Sequence, residues 1–270
     1  MGSVTGAEPG IGLYSISVRG LEVPDLLGWA RAEGVAFVHL RGGTRGYALT
    51  ERDAATLKHW RAVTEQTVPI TGVTADTDLA ELLDTDATVR DRARRSLGRM
   101  AWAAASLGAG WVRLLARTPL DPAMVQRAGA VPVMAVPLLV ELHHPAWLTP
   151  APATALGRLL DQSPHLRVLA DTAQLAAMLT TVGPHTVAGL DRVIAATNVL
   201  HLSDQGHGLR HPGHAQIATA IARRLDDDHE IEVAVEWTGP DRSPATALDR
   251  YRAATAWWRG LREQHRRSHV

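Results

Sequence analysis

The chain alternates short apolar runs with longer amphipathic segments along most of its length. Each apolar run has five to seven residues and is followed by a polar or turn-forming stretch, which is typical of buried β-strands. The predicted strands are 12–18, 36–40, 68–73, 111–116, 137–142, 166–171, 199–203 and 231–237.

The segments between most of these strands carry an apolar residue every three or four positions, which predicts helices. Pro24 and Gly34 mark the start and the end of the first helix, and Thr50 is a candidate cap for the second. The longest helix presents one apolar stripe, formed by Val89, Ala93, Leu97, Met100, Ala104 and Leu107.

Eight strand–helix units without an obvious linker predict an α/β fold, a single (β/α)8 TIM barrel spanning residues 1–270. An open doubly wound sheet is the alternative. That fold normally has a glycine-rich phosphate turn after its first strand, and residues 18–25, VRGLEVPD, contain no such turn. The barrel is therefore the preferred prediction.

Composition excludes several classes of chemistry. The chain has no cysteine, so disulfides, thiolate metal sites and cysteine nucleophiles are absent. Lys58 is the only lysine and lies in a polar helical pattern, which argues against Schiff-base catalysis. Lysine and arginine together number 28, as do aspartate and glutamate, and a neutral chain lacks the basic footprint of a nucleic-acid binder.

No segment resembles a targeting or membrane-spanning sequence. The N-terminal stretch MGSVTGAEPG lacks the basic start and apolar core of a signal peptide. The longest apolar stretch, VPVMAVPLLV, is too short to span a bilayer and contains two prolines. We expect a soluble cytoplasmic protein that acts on a small molecule, without a membrane or nucleic-acid partner, and the sequence leaves open whether it forms a homodimer.

Four successive predicted strands carry an ionisable side chain at or near the C-terminal end, where TIM barrels place their catalytic groups. These residues are Glu141, Asp171, His201 and Glu236. Three carboxylates brought so close repel one another unless a cation lies among them. We therefore predict one divalent metal ion in the segment 137–240, with Mn²⁺ or Mg²⁺ expected from the oxygen-rich ligands and Co²⁺ or Zn²⁺ as alternatives.

The order Glu, Asp, His, Glu, with gaps of 30, 30 and 35 residues, resembles the xylose isomerase-like TIM barrels, a superfamily that includes sugar phosphate isomerases and epimerases. The motifs LLVELHH, VLADTAQ, VLHLSD with RHPGHA, and VAVEW carry the resemblance, mainly over residues 135–240. The matching positions are Glu141, His143, Asp171, His201, Asp204, Arg210, Pro212, Gly213 and Glu236. The departures are His39, Leu142, Gln174 and Ala215, where the family usually has Glu, Asn, His and Gly.

The resemblance implies a metal-dependent isomerase or epimerase that acts on a small polyhydroxy carbonyl compound through an enediolate. Glu141 and Glu236 would then move the proton as well as bind the metal. Strand alternation and the motifs together give the residues expected to contact the substrate, which are His39, Arg113, His143, Gln174, His207 and Arg210. We expect His144, His211 and His214 to be exposed loop residues.

Three other functions remain open. The first is a lyase on the same metal, resembling the dehydroshikimate and inosose dehydratases of the superfamily, because dehydration also begins with proton removal next to a carbonyl. The second is a DNA-repair enzyme of the endonuclease IV type, which would need additional histidines where this chain has none, including position 174. The third is a metal-free binding protein. Gln174 favours a specialised reaction, since glutamine keeps hydrogen bonding but cannot shuttle a proton.

Overall fold

The computed structural model describes residues 10–183 and 187–267. Within these residues eight parallel strands form a barrel in chain order, closed by the pairing of the last strand with the first. The strands are β1 Gly12–Tyr14, β2 Val38–Arg41, β3 Ile70–Asp78, β4 Trp111–Ala116, β5 Leu138–Leu142, β6 Leu166–Asp171, β7 Thr197–Asp204 and β8 Glu232–Trp237. This confirms the predicted (β/α)8 fold.

Helices surround the barrel and connect the strands. They are α1 Val23–Ala32, α2 Ala54–Gln66, α3 Leu79–Leu82, α4 Ala87–Leu107, α5 Pro122–Ala128, α6 Pro150–Gln162, α7 Thr172–Val182, α8 Val187–Ala195, α9 Pro212–Asp226 and α10 Pro244–Arg267. The apolar stripe predicted on α4 is largely buried, as an amphipathic helix packed on a barrel requires.

Two of the predicted boundaries that differ from the structure have clear local reasons. β1 ends earlier than predicted because the chain turns into a short 3-10 helix, Ser15–Ser17. The hydroxyl oxygens of Ser15 and Ser17 accept hydrogen bonds, both of 2.8 Å, from the backbone N–H groups of Arg41 and Trp237. These bonds tie the end of β1 to its two neighbouring strands.

Thr50 does not cap α2. It lies in a 3-10 helix, Leu49–Glu51, and α2 begins four residues later. Asp53 is the cap, because its carboxylate accepts a 2.7 Å hydrogen bond from the backbone N–H of Thr56. The prediction of Thr50 as the cap is therefore wrong, because aspartate satisfies a free helix N–H as well as threonine does and Asp53 lies directly before the helix.

The N-terminal end of the barrel interior is filled by apolar side chains. A separate buried cluster there consists of Trp111, Leu139, Leu169 and Val199, contributed by β4 to β7. The Trp111 ring packs on Gly72 of β3, where a Cβ atom would lie 2.0 Å from the ring. This apolar floor closes the barrel beneath the site described below.

The helices of residues 10–183 and 187–267 include none that is both long enough and apolar enough to cross a membrane. The N-terminal residues 1–9, which carry most of the segment considered above as a signal peptide, lie outside the described residues.

Candidate metal centre

The site contains residues from four strands. Each lies two residues after the residue that its strand contributes to the apolar floor. Because side chains of a strand alternate between its two faces, these positions also face the barrel interior, one layer nearer its C-terminal end. They are Arg113, Glu141, Asp171 and His201, and all four are buried. The pattern apolar–X–polar on β4 to β7 thus places polar and charged side chains directly above an apolar floor.

Three of the four predicted ligands converge on one point. Asp171, His201 and Glu236 each offer a ligand atom, and these atoms lie within 4.8 Å of one another. Asp171 and His201 are buried, and the side chain of Glu236 is 12% exposed. Two carboxylates and one imidazole at this spacing fit a divalent cation.

The electrostatics of this cluster also fit a cation. Burial, followed by the charge of Glu141, raises the pKa of Glu236 from its usual 4.5 to about 8. Burial and then the charges of Glu236 and Glu141 raise the pKa of Asp171 well above its usual value. Neither carboxylate is surrounded by enough positive charge to ionise at its usual pH. A bound cation would supply that charge.

Asp171 has a second role at the start of α7. Its Oδ1 accepts a 2.8 Å hydrogen bond from the backbone N–H of Gln174, so Asp171 is the N-cap of that helix. In the motif Asp-x-x-Gln, the aspartate therefore also stabilises the start of the helix, through the backbone N–H of Gln174. The half-buried side chain of Gln174 lies one helical turn from the cluster, and its predicted contact with substrate remains a prediction.

Glu141 lies beside the cluster, between the Arg113 guanidinium and the His143 imidazole. Its Oε2 is 2.8 Å from Nε of Arg113, and its Oε1 is 3.3 Å from Nε2 of His143. Burial acts to raise the pKa of Glu141, but the charge of Arg113 and the proximity of His143 lower it to about 2. Glu141 is therefore ionised, and its predicted role as a fourth ligand remains a prediction.

The predicted substrate residues Arg113 and His143 are both next to Glu141. Arg113 also donates a 2.9 Å hydrogen bond from Nη1 to the carbonyl oxygen of Ala75, which fixes its guanidinium between β3 and β5. Glu141 acts to raise the pKa of the His143 imidazole, and this outweighs the opposite effect of burial. The structure thus assembles Arg113, Glu141 and His143 into one charged group.

A chain of hydrogen-bonded side chains runs behind His201. His201 Nε2 is 3.0 Å from His39 Nδ1, and His39 Nε2 is 3.0 Å from Glu232 Oε2. That carboxylate also accepts hydrogen bonds from Thr71 Oγ1 at 3.0 Å and Trp111 Nε1 at 3.2 Å. The chain therefore starts at an anchored carboxylate near the floor and ends at a candidate ligand.

This series of hydrogen-bonded side chains selects one tautomer of His201. Burial lowers the pKa of His39 to about 4, so the imidazole is neutral at pH 7 and carries one N–H. That N–H points to the Glu232 carboxylate, which leaves His39 Nδ1 as an acceptor for the N–H on Nε2 of His201. Nδ1 of His201 then carries the lone pair that a metal needs, and it points toward Glu236 Oε2, 2.9 Å away.

His39 faces the barrel interior, as predicted, and is completely buried behind His201. Its contacts are those of a residue that supports a candidate ligand, and its predicted contact with substrate remains a prediction. Sequence alternation gives the inward direction of His39 correctly but not its depth. The depth depends on the stagger of β2 against β7 across the barrel.

Sequence reasoning missed Tyr14 and Glu232. Glu232 lies four residues before Glu236 on the same face of β8, so alternation alone could have identified it. The ring of Tyr14 lies 5.0 Å from the ring of His201, and its hydroxyl forms a 2.8 Å hydrogen bond with Thr74. No local signal marks Tyr14, because its partners come from distant strands.

The other two predicted substrate residues lie at the protein surface. His207 and Arg210 are exposed in the loop after β7, and their predicted contact with substrate remains a prediction. The prediction that His214 is exposed is wrong. His214 is buried and its Nδ1 forms a 3.0 Å hydrogen bond with the hydroxyl of Thr172, which links α9 to the start of α7.

Comparison with known proteins gives matches in structure only. The sequence matches no family model and no curated protein. Among solved structures, D-psicose 3-epimerase determined in the presence of D-fructose is 13% identical with a TM-score of 0.64, covering 94% of this chain and 99% of that chain. The IolI protein with a zinc atom is 10% identical with a TM-score of 0.61, covering 93% and 98%.

A third structure has a different activity. The probable 3-DHS dehydratase AsbF from Bacillus anthracis is 13% identical with a TM-score of 0.60, covering 92% of this chain and 99% of that chain. These similarities confirm the fold expected from the resemblance to xylose isomerase-like barrels. At such low identity, structural similarity shows the fold, whereas the reaction depends on the residues of the site.

Proposed function

We propose that the chain is a divalent-metal-dependent isomerase or epimerase that acts on a small polyhydroxy carbonyl compound through an enediolate. The observation that carries the proposal is the cluster of Asp171, His201 and Glu236, with the ionised Glu141 beside it. Structural similarity to an epimerase solved with a ketohexose supports the same class of reaction.

The residues fit a resident cation, with Mn²⁺ or Mg²⁺ expected and Zn²⁺ supported by the zinc atom of IolI. A divalent ion held there supplies electrostatic stabilisation for negative charge that develops on substrate oxygens. The protein contributes the tautomer of His201 through His39, and it contributes the fixed position of Asp171 through the start of α7.

Glu141 and Glu236 are the proposed proton carriers. Glu141 is kept ionised by Arg113, as a group that accepts a proton must be, and it lies next to the cluster where the substrate would bind. Glu141 lies on β5 and Glu236 on β8, so the two carboxylates would approach a bound substrate from different sides. Removal of a proton by one and its return by the other would invert a carbon centre.

A lyase on the same site is the second candidate. Similarity to a dehydratase structure at a TM-score of 0.60 favours it, and the same first step, proton removal next to a carbonyl, serves both reactions. The two differ in the product, because elimination releases water and forms a conjugated double bond.

The test is proton exchange in D₂O. Mn²⁺-loaded protein is incubated with a panel of ketoses and hydroxy-keto acids, and loss of the C–H signal next to the carbonyl is followed by NMR. We expect exchange that requires metal and falls at least about 100-fold in Glu141→Gln at saturating Mn²⁺, while the exposed control Glu230→Gln keeps the wild-type rate. New absorbance from a conjugated product would assign the lyase, and exchange that survives in Glu141→Gln would contradict the proposed role of Glu141.

A further inference from the structure

A cavity rich in arginine lies at the C-terminal end of the barrel, next to the metal centre. Its volume is about 360 Å³, and it is formed mainly by the segments that follow β1 and β2, together with the loop that follows β8. Among the described residues that line it, the charged ones are Arg19, Glu22, Arg41, Arg45, Arg52 and Arg242. We call it the arginine cavity. Neither the metal centre nor the proposed proton transfer uses it.

The positions of two of these arginines connect the cavity to the site. Arg41 ends β2 two residues after His39, so strand alternation places both on the inner face, with Arg41 nearer the mouth. Arg242 follows β8, the strand that carries Glu236. β1 pairs with both β2 and β8, so the strands that carry Arg41 and Glu236 flank the same strand.

Backbone contacts fix the cavity wall. The carbonyl oxygen of Arg242 accepts a 2.8 Å hydrogen bond from the N–H of Arg19, and Nη1 of Arg242 donates to the carbonyl oxygen of Ile16 at 3.2 Å. Gly46 packs on Arg41 so closely that a Cβ atom there would lie 2.7 Å from Cγ of Arg41. The arginine side chains therefore project from a wall whose backbone is held in place.

The lining of the cavity carries an excess of positive charge, with five arginines and one glutamate. Among the described residues, Arg19, Arg41, Arg45 and Arg242 form no ion pair with a carboxylate, and the lone acid of the lining, Glu22, is exposed. The Nε atom of Arg242 is buried and has no hydrogen-bond partner. Burial, and then the like charges of Arg19 and Arg41, lower the pKa of Arg242.

Arg52 differs from these four. Its Nε donates a 3.0 Å hydrogen bond to the carbonyl oxygen of Tyr47, and its guanidinium lies over the Trp60 ring, 5.4 Å from the centroid. Its contacts within the protein account for its position, whereas those of Arg41 and Arg242 leave donors available for a ligand. Guanidinium groups form paired hydrogen bonds with the oxygens of a phosphate or a carboxylate.

We propose that the arginine cavity binds an oxyanion group, a phosphate or a carboxylate, carried by the substrate whose carbonyl end lies at the metal centre. The proposal rests on the proposed function and narrows its substrate class to anionic hydroxy-carbonyl compounds. Arg41 and Arg242 would hold the anion, and the exposed Arg19 and Arg45 would add positive charge at the rim.

The first experiment tests the cavity without metal or substrate. Inorganic phosphate and, separately, malonate are titrated into chelator-treated protein at constant ionic strength by isothermal titration calorimetry. We expect saturable binding of at least one of the two, weakened about 10-fold or more in Arg41→Gln and Arg242→Gln. The exposed Arg158→Gln on α6 is the matched control and should bind as the wild type does.

Folding of each variant is checked by its melting temperature. The exposed Arg45→Gln, whose side chain supports no buried contact, provides a second measurement if Arg242→Gln is unstable, with a smaller loss of affinity expected. Absence of saturable binding of both anions would overturn the proposal, as would wild-type affinity in folded Arg41→Gln. Because this titration uses no metal, its outcome is independent of whether the proposed reaction is correct.

The second experiment identifies the anion. D-Fructose, its 6-phosphate ester and D-fructuronate are compared as ligands of Mn²⁺-loaded protein. We expect the phosphate or the carboxylate to bind about 10-fold or more tightly than the neutral sugar, and Arg41→Gln to remove that preference. Equal affinity for all three would overturn the anionic substrate class, whereas failure of the protein to bind Mn²⁺ would instead contradict the proposed function.

Discussion

At the scale of single residues, the function of this site depends on carboxylates and imidazoles whose protonation is set by their neighbours. Glu232 and Glu236 lie on one face of β8, yet their surroundings act on them in opposite directions. Burial acts to raise the pKa of Glu232, but hydrogen bonds from His39, Trp111 and Thr71 lower it below its usual value. The hydrogen-bond partner of Glu236 among the described residues is Nδ1 of His201, and burial, followed by the charge of Glu141, raises the pKa of Glu236 to about 8.

Glu232→Gln should weaken metal binding although Glu232 is not a ligand. The neutral amide no longer requires an N–H on Nε2 of His39, so the tautomer of His201 is no longer fixed. We expect a metal affinity about 10- to 100-fold lower, measured by calorimetric titration with Mn²⁺. Glu230→Gln, an exposed change two residues away, is the control, and an unchanged affinity in Glu232→Gln would contradict the role given to the hydrogen-bonded chain.

Glu236→Gln should stabilise the metal-free protein in a pH-dependent manner. The folded chain holds the proton of Glu236 up to about pH 8, whereas the unfolded chain releases it near 4.5, so stability is present at low pH and is lost as pH rises between these values. We expect Glu236→Gln to exceed the wild type in free energy of unfolding by an amount that grows to a few kcal/mol near pH 8. Denaturant titrations at pH 5 and pH 8 measure it, and a gap that does not change with pH would contradict the raised pKa.

At the scale of secondary-structure elements, strand ends and helix starts share residues. Asp171 ends β6 and also caps α7, so one carboxylate fixes the helix and faces the candidate ligands. The rigid strand–helix junction holds the carboxylate in one orientation, which favours a preformed site over one that the metal must assemble.

The two roles of Asp171 can be separated by a pair of variants. Asp171→Asn and Asp171→Ala both remove the charged ligand, so both should lose metal binding. Asparagine still caps a helix and alanine does not, so the asparagine variant should be the more stable of the two by about 1 kcal/mol. Equal stability of the two variants in chemical denaturation would contradict the capping role, and metal affinity retained in Asp171→Ala would contradict the ligand role.

At the scale of the whole molecule, the sequence predicted the barrel and the group of strand-end residues because both follow from local patterns. Apolar runs gave β4 and β6 with their observed limits, and chain order gave the neighbours of each strand. The relation between His39 and His201 could not be predicted, because β2 and β7 are not neighbours and their contact depends on the stagger of the closed barrel. The arginine cavity was missed for the same reason, since it is assembled from both ends of the chain.

A mutation in the barrel floor should lower the stability of the protein without changing its metal affinity. Leu169 is 1% exposed and packs with Trp111, Leu139 and Val199 beneath the charged layer. Leu169→Ala should lower the free energy of unfolding by about 2 to 5 kcal/mol through the cavity it leaves. Metal affinity of the folded variant should stay close to that of the wild type. A large loss of affinity would show that the floor also positions the ligands.

We propose that Asp171, His201 and Glu236 hold one divalent metal ion. A crystal structure of the protein soaked in Mn²⁺, with anomalous diffraction data, would locate that ion. We predict one anomalous peak per chain, bonded to carboxylate oxygens of Asp171 and Glu236 and to Nδ1 of His201, and the same map decides whether Glu141 is the fourth ligand. A map of the loaded protein with no peak at these residues, or with its peak elsewhere, would show that these residues are not the metal site.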